Sequence, residues 1–563
     1  MHPIANRLLT GLALILASAS AWAAENKPAA TPDFATPEAA AQFHILAGEL
    51  AAQRQQPIEA AAHLLKALDY IADTGLAQRA TLLAFAGKDD ELALKAGARW
   101  LKLEPNNLEP REILLRAALR LDKSAQVKEQ AEAIIRGHAG GEDEGFRHVA
   151  LILSQEKNAE ATALRVMQEL QKQWPELPGA LYAQGILAMR FAHYEEAEAA
   201  ARAALKLDES SQDARLLLLG AQVKRGQLQE ADQTADTLIA AGQNETDLRL
   251  GYVKLLVDAK HNEAAGQQLQ LILESDPGNE DAQFGLALLA LDARDLDAAA
   301  TLLKPLVESE AHGTEAAYYL GSIAQLRRQY AEALEWYQKV TSGDKALDAL
   351  LRNAAMLARL DRLDEAREIF SSLREQAPML GHRIDSEEAG MLLDLGKPAE
   401  ALTVLDRALK QGSDGAELLY ARSLVYERLN RIERAENDLR RILRDTPDDG
   451  RTLNALGYLL TVHTKRFEEA KKLLTRALEL SPEDAAVIDS YGWVQFQMGQ
   501  TADARTTLEK AYGKLKDPEI AAHLGEVLWT LGEKNRAKEI WNAALNDEPD
   551  HPVLRETVKR LTQ

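Results

Sequence analysis

Residues 456–482 read LGYLLTVHTKRFEEAKKLLTRALELSP, and the spacing inside them decides the fold. Ala470, Leu474 and Ala477 stand at i, i+4 and i+7, which is one face of a helix. Pro482 follows five residues after Ala477, where a helix must stop because proline has no backbone donor. Gly457 lies on an earlier helix, and a turn around Lys465 and Arg466 separates the two. The same series recurs along the chain. Ala354, Ala366, Phe370, Leu373 and Pro378 are spaced by 12, 4, 3 and 5 residues. Ser423, Ala435, Leu439, Ile442 and Pro447 repeat those steps, as do Gly525, Ala537, Trp541, Ala544 and Pro549. Gly321, Ala333, Tyr337 and Val340 match without the proline, as do Gly492, Ala504, Leu508 and Ala511. In the first half, Gly185, Ala197, Ala201 and Ala204 fit, and so do Gly48, Ala60, Leu64 and Ala67. Only the opening stretch is irregular. Gly457 to Ala470 spans 13 residues, the extra one falling in the turn from Val462 to Lys465.

This helix–turn–helix period of about 34 residues resembles the tetratricopeptide repeat (TPR). Small residues on both helices let the two backbones approach closely, while larger ones fill the space between neighbouring pairs. One pair cannot bury its own apolar face, so the pairs must stack. The expected fold is an all-α TPR solenoid, a right-handed superhelix of about fifteen repeats across residues 39–550. Between Leu108 and Gln155 the pattern is weak, and Gly137 to Gly145 reads as a loop, with a degenerate repeat the simplest explanation. Leu554, Val558 and Leu561 form the stripe of a C-terminal capping helix in residues 551–563.

The wider composition agrees. Of 563 residues, 46% are hydrophobic, 27% charged and only 5% aromatic, which suits helices and disfavours sheets. The net charge of −21 repels phosphate backbones and anionic head groups, so neither nucleic acid nor a membrane surface is an expected partner. Arg7, the apolar run Leu8 to Ala19 and Ala21-Trp22-Ala23 have the form of a cleaved signal peptide over residues 1–23. The apolar run is too short to span a bilayer. The product is expected to begin at Ala24, to be periplasmic or exported, and to be soluble. Residues 24–38, with Pro28, Pro32 and Pro37, read as a flexible lead-in. There is no cysteine, so neither a disulfide nor a lipid-bearing cysteine is available.

The search for chemistry is negative. The twelve histidines include no metal-binding pair, and His463 and His523 read as solvated or packing residues. Gly390 to Lys397 fails as a phosphate loop, because Pro398 stands where Ser or Thr is needed. No G-x-S-x-G elbow and no thiol nucleophile exist. Acidic runs at Glu142 to Glu144 and Asp448 to Asp449 lack the alternating ligands of a calcium loop. The chain is expected to be non-enzymatic, with no metal and no cofactor.

Function then lies on the repeat surface. In repeats of this kind the first helix lines the concave face, positions 2, 5, 9, 12 and 13 pointing inward when the small residue is position 8. In the last three repeats these positions nominate Asn454, Tyr458, Asp489, Trp493, Phe496 and Trp529 as partner-binding candidates. Aromatic rings beside amide and carboxylate groups are what a protein-binding hot spot needs. The same spacing equally suits rings packed between repeats or against the cap. Gln495 at a nominally buried position leaves the register of its helix open by one residue.

Leu453-Asn-Ala-Leu-Gly-Tyr458, Asp489-Ser-Tyr-Gly-Trp493 and Ala522-His-Leu-Gly-Glu-Val-Leu-Trp529, closed by His551-Pro-Val-Leu-Arg-Glu556, add a more specific likeness. Together they resemble the C-terminal block of large exported bacterial TPR proteins, among them the outer-membrane TPR adaptor of a periplasmic carboxyl-terminal processing protease. The resemblance covers residues 450–556, and upstream it is one of architecture alone. It implies a scaffold that binds the protease and presents peptidoglycan hydrolases to it. The adaptor is a lipoprotein, and this chain lacks the cysteine for that. The alternative is a scaffold of an exopolysaccharide or pilus secretion machine, which also uses exported TPR arrays.

Overall fold

A computed structural model describes residues 34–562, apart from 243 and 412–414. The expected leader over residues 1–23, and the lead-in up to residue 33, lie outside the described residues. Within them the regular structure is helical: thirty-one α-helices, with 3-10 turns at Lys157–Ala159, Lys304–Glu308 and Pro378–Leu380. Successive helices pair through short turns. The first pair is Pro37–Gln53 with Pro57–Ala67, the last is Pro518–Thr530 with Lys534–Asp547, and the single helix Pro552–Thr562 follows. The pairs fall into two compact units, divided between Pro277 and Gly278.

In the first unit, the stretch with the weakest sequence pattern is fully folded. Leu108–Arg120 pairs with Ser124–Gly137, and Gly141–Leu153 packs between Ser124–Gly137 and Pro178–Arg190. Leu115, Ile134, Ile135, Phe146, Leu153 and Met167 make a continuous core there. Gly141 to Gly145, expected as loop, is the opening turn of a helix, and only His138 to Gly140 connect it to the helix before. The physical reason is packing. A Cβ on Gly145 would lie 2.7 Å from the Ile135 carbonyl oxygen, so this glycine permits close approach rather than a turn. The acidic run Glu142 to Glu144 sits in the first helical turn, where the helix dipole favours negative charge.

In the second unit the small-residue series is explained by the same kind of contact. A Cβ on Gly457 would stand 2.5 Å from Leu474 Cγ, and one on Gly525 only 1.9 Å from Trp541 Nε1. Ala470, Leu474, Ala477, Ala537 and Trp541 are buried, the predicted face of each second helix.

Turns inside the pairs repeat one device, a residue in the left-handed region just after the first helix. Lys88, Asp122, Ala192, Arg328, Asn430, Gly499 and Gly532 are examples, with φ between 55° and 86°. The quoted stretch departs from it. Helix Gly450–His463 ends instead on Thr464 in extended backbone, φ −135°. Thr464 Oγ1 donates to the Leu460 carbonyl at 2.6 Å and accepts from the Arg466 amide at 3.1 Å. The extra residue is thus absorbed by a hydroxyl-braced turn.

Candidate functional site

The first helices of four successive pairs in the second unit line a half-open cavity of about 320 Å³. Ala416–Arg428 supplies Tyr420, Leu424 and Glu427, and Gly450–His463 supplies Asn454 and Tyr458. Ala485–Gln497 supplies Asp489, while Leu515, Asp517 and Glu519 close the far side. Asn454 and Tyr458 share a face because they are one turn apart, while Leu456, Leu459 and Leu460 hold that helix in the core.

Below the cavity wall lies a polar network. The Tyr458 hydroxyl donates to Glu519 Oε1, joining two helices that are separated in sequence by an entire repeat. Burial, with the Glu519 charge beside it, raises the Tyr458 pKa, which keeps that hydroxyl a donor. Asp489 is 5% exposed and His523 3%, and His523 Nδ1 lies 2.9 Å from Asp489 Oδ2. Burial works to lower the His523 pKa, but Asp489, with Glu519 and Glu526 beyond it, outweighs burial and raises it. The pair is therefore read as imidazolium and carboxylate, with Nδ1 donating. Trp493 stacks on the same imidazole, ring centroids 4.1 Å apart and planes at 17°.

The structure divides the candidate residues. Asn454, Tyr458 and Asp489 meet at the cavity. Trp493 covers His523 from the side. Phe496 and Trp529 are half-buried against the C-terminal core with Ala504, Leu508 and Trp541, and Trp529 lies 5.6 Å from Trp541. Phe496 also lies 5.3 Å from Trp493, so rings run from Tyr458 through His523 and Trp493 to Phe496, while Trp529 stands apart on Trp541. His523, read from sequence as solvated or packing, is a buried ion-pair partner. Gln495 is buried and accepts from Thr507 Oγ1 at 2.8 Å, which accounts for an amide at a buried position.

Sequence reasoning missed Tyr420, Leu424, Glu427 and Glu519. The first three occupy positions 5, 9 and 12 of the preceding repeat, and Glu519 position 2 of the last, so the inward-position rule reaches three when applied one repeat earlier and Glu519 when position 2 is read as well. Four carboxylates, those of Glu427, Asp489, Asp517 and Glu519, line the cavity, and no Lys or Arg does among the described residues. Asn454 Oδ1 is shielded from solvent without a hydrogen-bond partner. No group of three or more His, Asp or Glu fit for a metal ion occurs among the described residues.

Comparison with known proteins adds the following. Models of the tetratricopeptide repeat match residues 182–246, 284–347, 391–449 and 420–485, and a second such model matches 462–511. A TPR repeat-containing protein of Pseudomonas aeruginosa is 31% identical over 243 residues, which is 43% of this chain and 41% of that protein. The match thus spans less than half the length of that relative. A TPR protein of Thermus thermophilus has TM-score 0.30 and 23% identity, covering 32% of this chain and 98% of its own. A TPR protein of Parabacteroides merdae has TM-score 0.31 and 19% identity, covering 50% and 99%. The chain is an all-α TPR solenoid.

Proposed function

We propose that this TPR solenoid is a non-enzymatic, exported scaffold that holds other proteins on the first-helix face of its second unit. TPR repeats are interaction modules, and stacked pairs leave a continuous face with no partner inside the chain. The observation that carries the reading is the cavity bounded by Tyr420, Asn454, Tyr458, Asp489 and Glu519. Its walls come from rigid helices, and its floor is fixed by the Tyr458–Glu519 and Asp489–His523 bonds, so the surface is organised before a partner arrives. Among the described residues no helix is long and apolar enough to cross a membrane.

More specifically, the scaffold binds a periplasmic carboxyl-terminal processing protease and presents cell-wall hydrolases to it. Tethering both on one chain raises their effective concentration without any catalytic group of its own. Support for this finer reading is the residue likeness over 450–556. Affinity capture from periplasmic extract with the chain from Ala24 onward is the test. Recovery of a processing protease with a peptidoglycan hydrolase is the expected result. Recovery of polysaccharide-synthase or pilus components alone overturns the protease assignment and favours the secretion-scaffold alternative.

A further inference from the structure

A separate groove of about 530 Å³ opens on the second-helix side of the second unit. Its floor is the first helix Ala346–Arg359, and its walls are the second helix Leu363–Gln376 and the end of Tyr330–Gln338. Leu350, Asn353 and Leu357 share one face of the floor helix, with Ile369 and Leu373 opposite them.

Asn353 is out of keeping with that place. It is 6% exposed, it stands among leucines one residue before the small Ala354, and its Oδ1 has no hydrogen-bond partner. A buried acceptor left unpaired costs stability, and buried amides are almost always satisfied. In the repeat of Gly457 the same place is held by Leu456, which lines a groove of like construction without that cost. Two polar pairs beside Asn353 are satisfied by each other and leave nothing for it. Arg362 donates to both Glu365 oxygens at 2.7 Å, and Gln376 Nε2 donates to Ser372 Oγ at 2.8 Å.

We propose that this groove seats an extended segment of a partner protein, whose backbone pairs with the Asn353 carboxamide. A carboxamide presents a donor and an acceptor in one plane, which matches the N–H and C=O of an extended chain. The lining runs from Arg362 to Gln376, about 20 Å of helix, which is the reach of roughly six extended residues. Alternate side chains of that segment turn onto Leu350, Leu357, Ile369 and Leu373. Glu365 and Glu368 on the same lining turn phosphate-bearing chains away. The inference goes beyond the scaffold reading by giving the chain a second seat, apart from the first-helix cavity.

The probe is a library of acetyl- and amide-capped hexapeptides, incubated with the chain from Ala24 onward and recovered by gel filtration for mass spectrometry. Retained peptides should carry apolar residues at alternate positions, and Asn353→Leu should retain them at least tenfold less. Asn353→Leu should melt at or above the wild-type temperature, since it places at the floor what Leu456 places in the other groove. Leu350→Asp, at a site 39% exposed, should cause the same loss without touching the buried floor. Leu207→Asp, exposed in the first unit, should cause none. Methylating each backbone nitrogen of a retained peptide in turn should find one at which binding falls at least tenfold. Retention unchanged in both Asn353→Leu and Leu350→Asp, equal loss in Leu207→Asp, or tolerance of methylation at every nitrogen would each overturn the proposal. Proteins captured from extract equally by the wild type and by both groove variants would sink this groove and leave the scaffold standing. Groove-specific peptides with no captured protein would do the reverse.

Discussion

At the scale of single residues, two side-chain environments make firm predictions. Trp541 is buried against Gly525, and no atom fits between them. Gly525→Ala should therefore destabilise the last repeat by about 1–3 kcal/mol, read from the midpoint of urea denaturation, because the indole cannot retreat from a packed core. Asp489 and His523 make the second. The folded His523 pKa is raised above the ordinary value of about 6.5. Its contribution to stability is then complete below that ordinary value and is lost as pH rises through the folded one. Wild-type stability should fall as pH rises above about 6.5, and Asp489→Asn should lose that slope while costing about 3–5 kcal/mol at pH 6, since it strands a buried charge. A slope unchanged by Asp489→Asn would show that the pair is not its source. From sequence, His523 could not be distinguished from a solvated residue. Its partner lies 34 positions away, one full repeat, and only the repeat register brings them together.

At the scale of elements, the small-residue series was legible because each member is a steric requirement. Gly457, Ala470 and Leu474 interlock, and a large side chain in place of Gly457 would hold the two helices apart. The Leu108 to Gln155 stretch was illegible for the converse reason. There Leu115, Val127, Ile134 and Phe146 fill the core with larger side chains, so the helices form without the small-residue signature. Half of the candidate site was legible, because Asn454, Tyr458 and Asp489 follow from the inward positions. Trp529 did not behave so, because the end of a stack offers it core to cover. That end is sealed by Pro552–Thr562, which buries Leu554 and joins Arg560 to Glu526. Truncation after Asp550 should open the amides of Pro518–Thr530 and Lys534–Asp547 to hydrogen exchange at least tenfold faster. Amides of the first unit should be unaffected, since each repeat leans only on its neighbours.

At the scale of the whole molecule, the division between Pro277 and Gly278 predicts two folding bodies. Residues 24–277 and 278–563, produced separately, should each be helical by circular dichroism and unfold cooperatively. A coil spectrum from either would contradict the division. In a stack coupled only through adjacent repeats, tension applied to the two ends unravels one coil after another, as in a spring with equal links. The Tyr458 hydroxyl on Glu519 breaks that equality, since it reaches over an intervening repeat, as Arg147 on Asp213 does in the first unit. Three coils of the spring are thereby clasped into a single stiff segment, and under pulling they should let go together, in one longer step. The part of the molecule that offers a grip to a partner is thus also a part that resists stretching when the partner pulls.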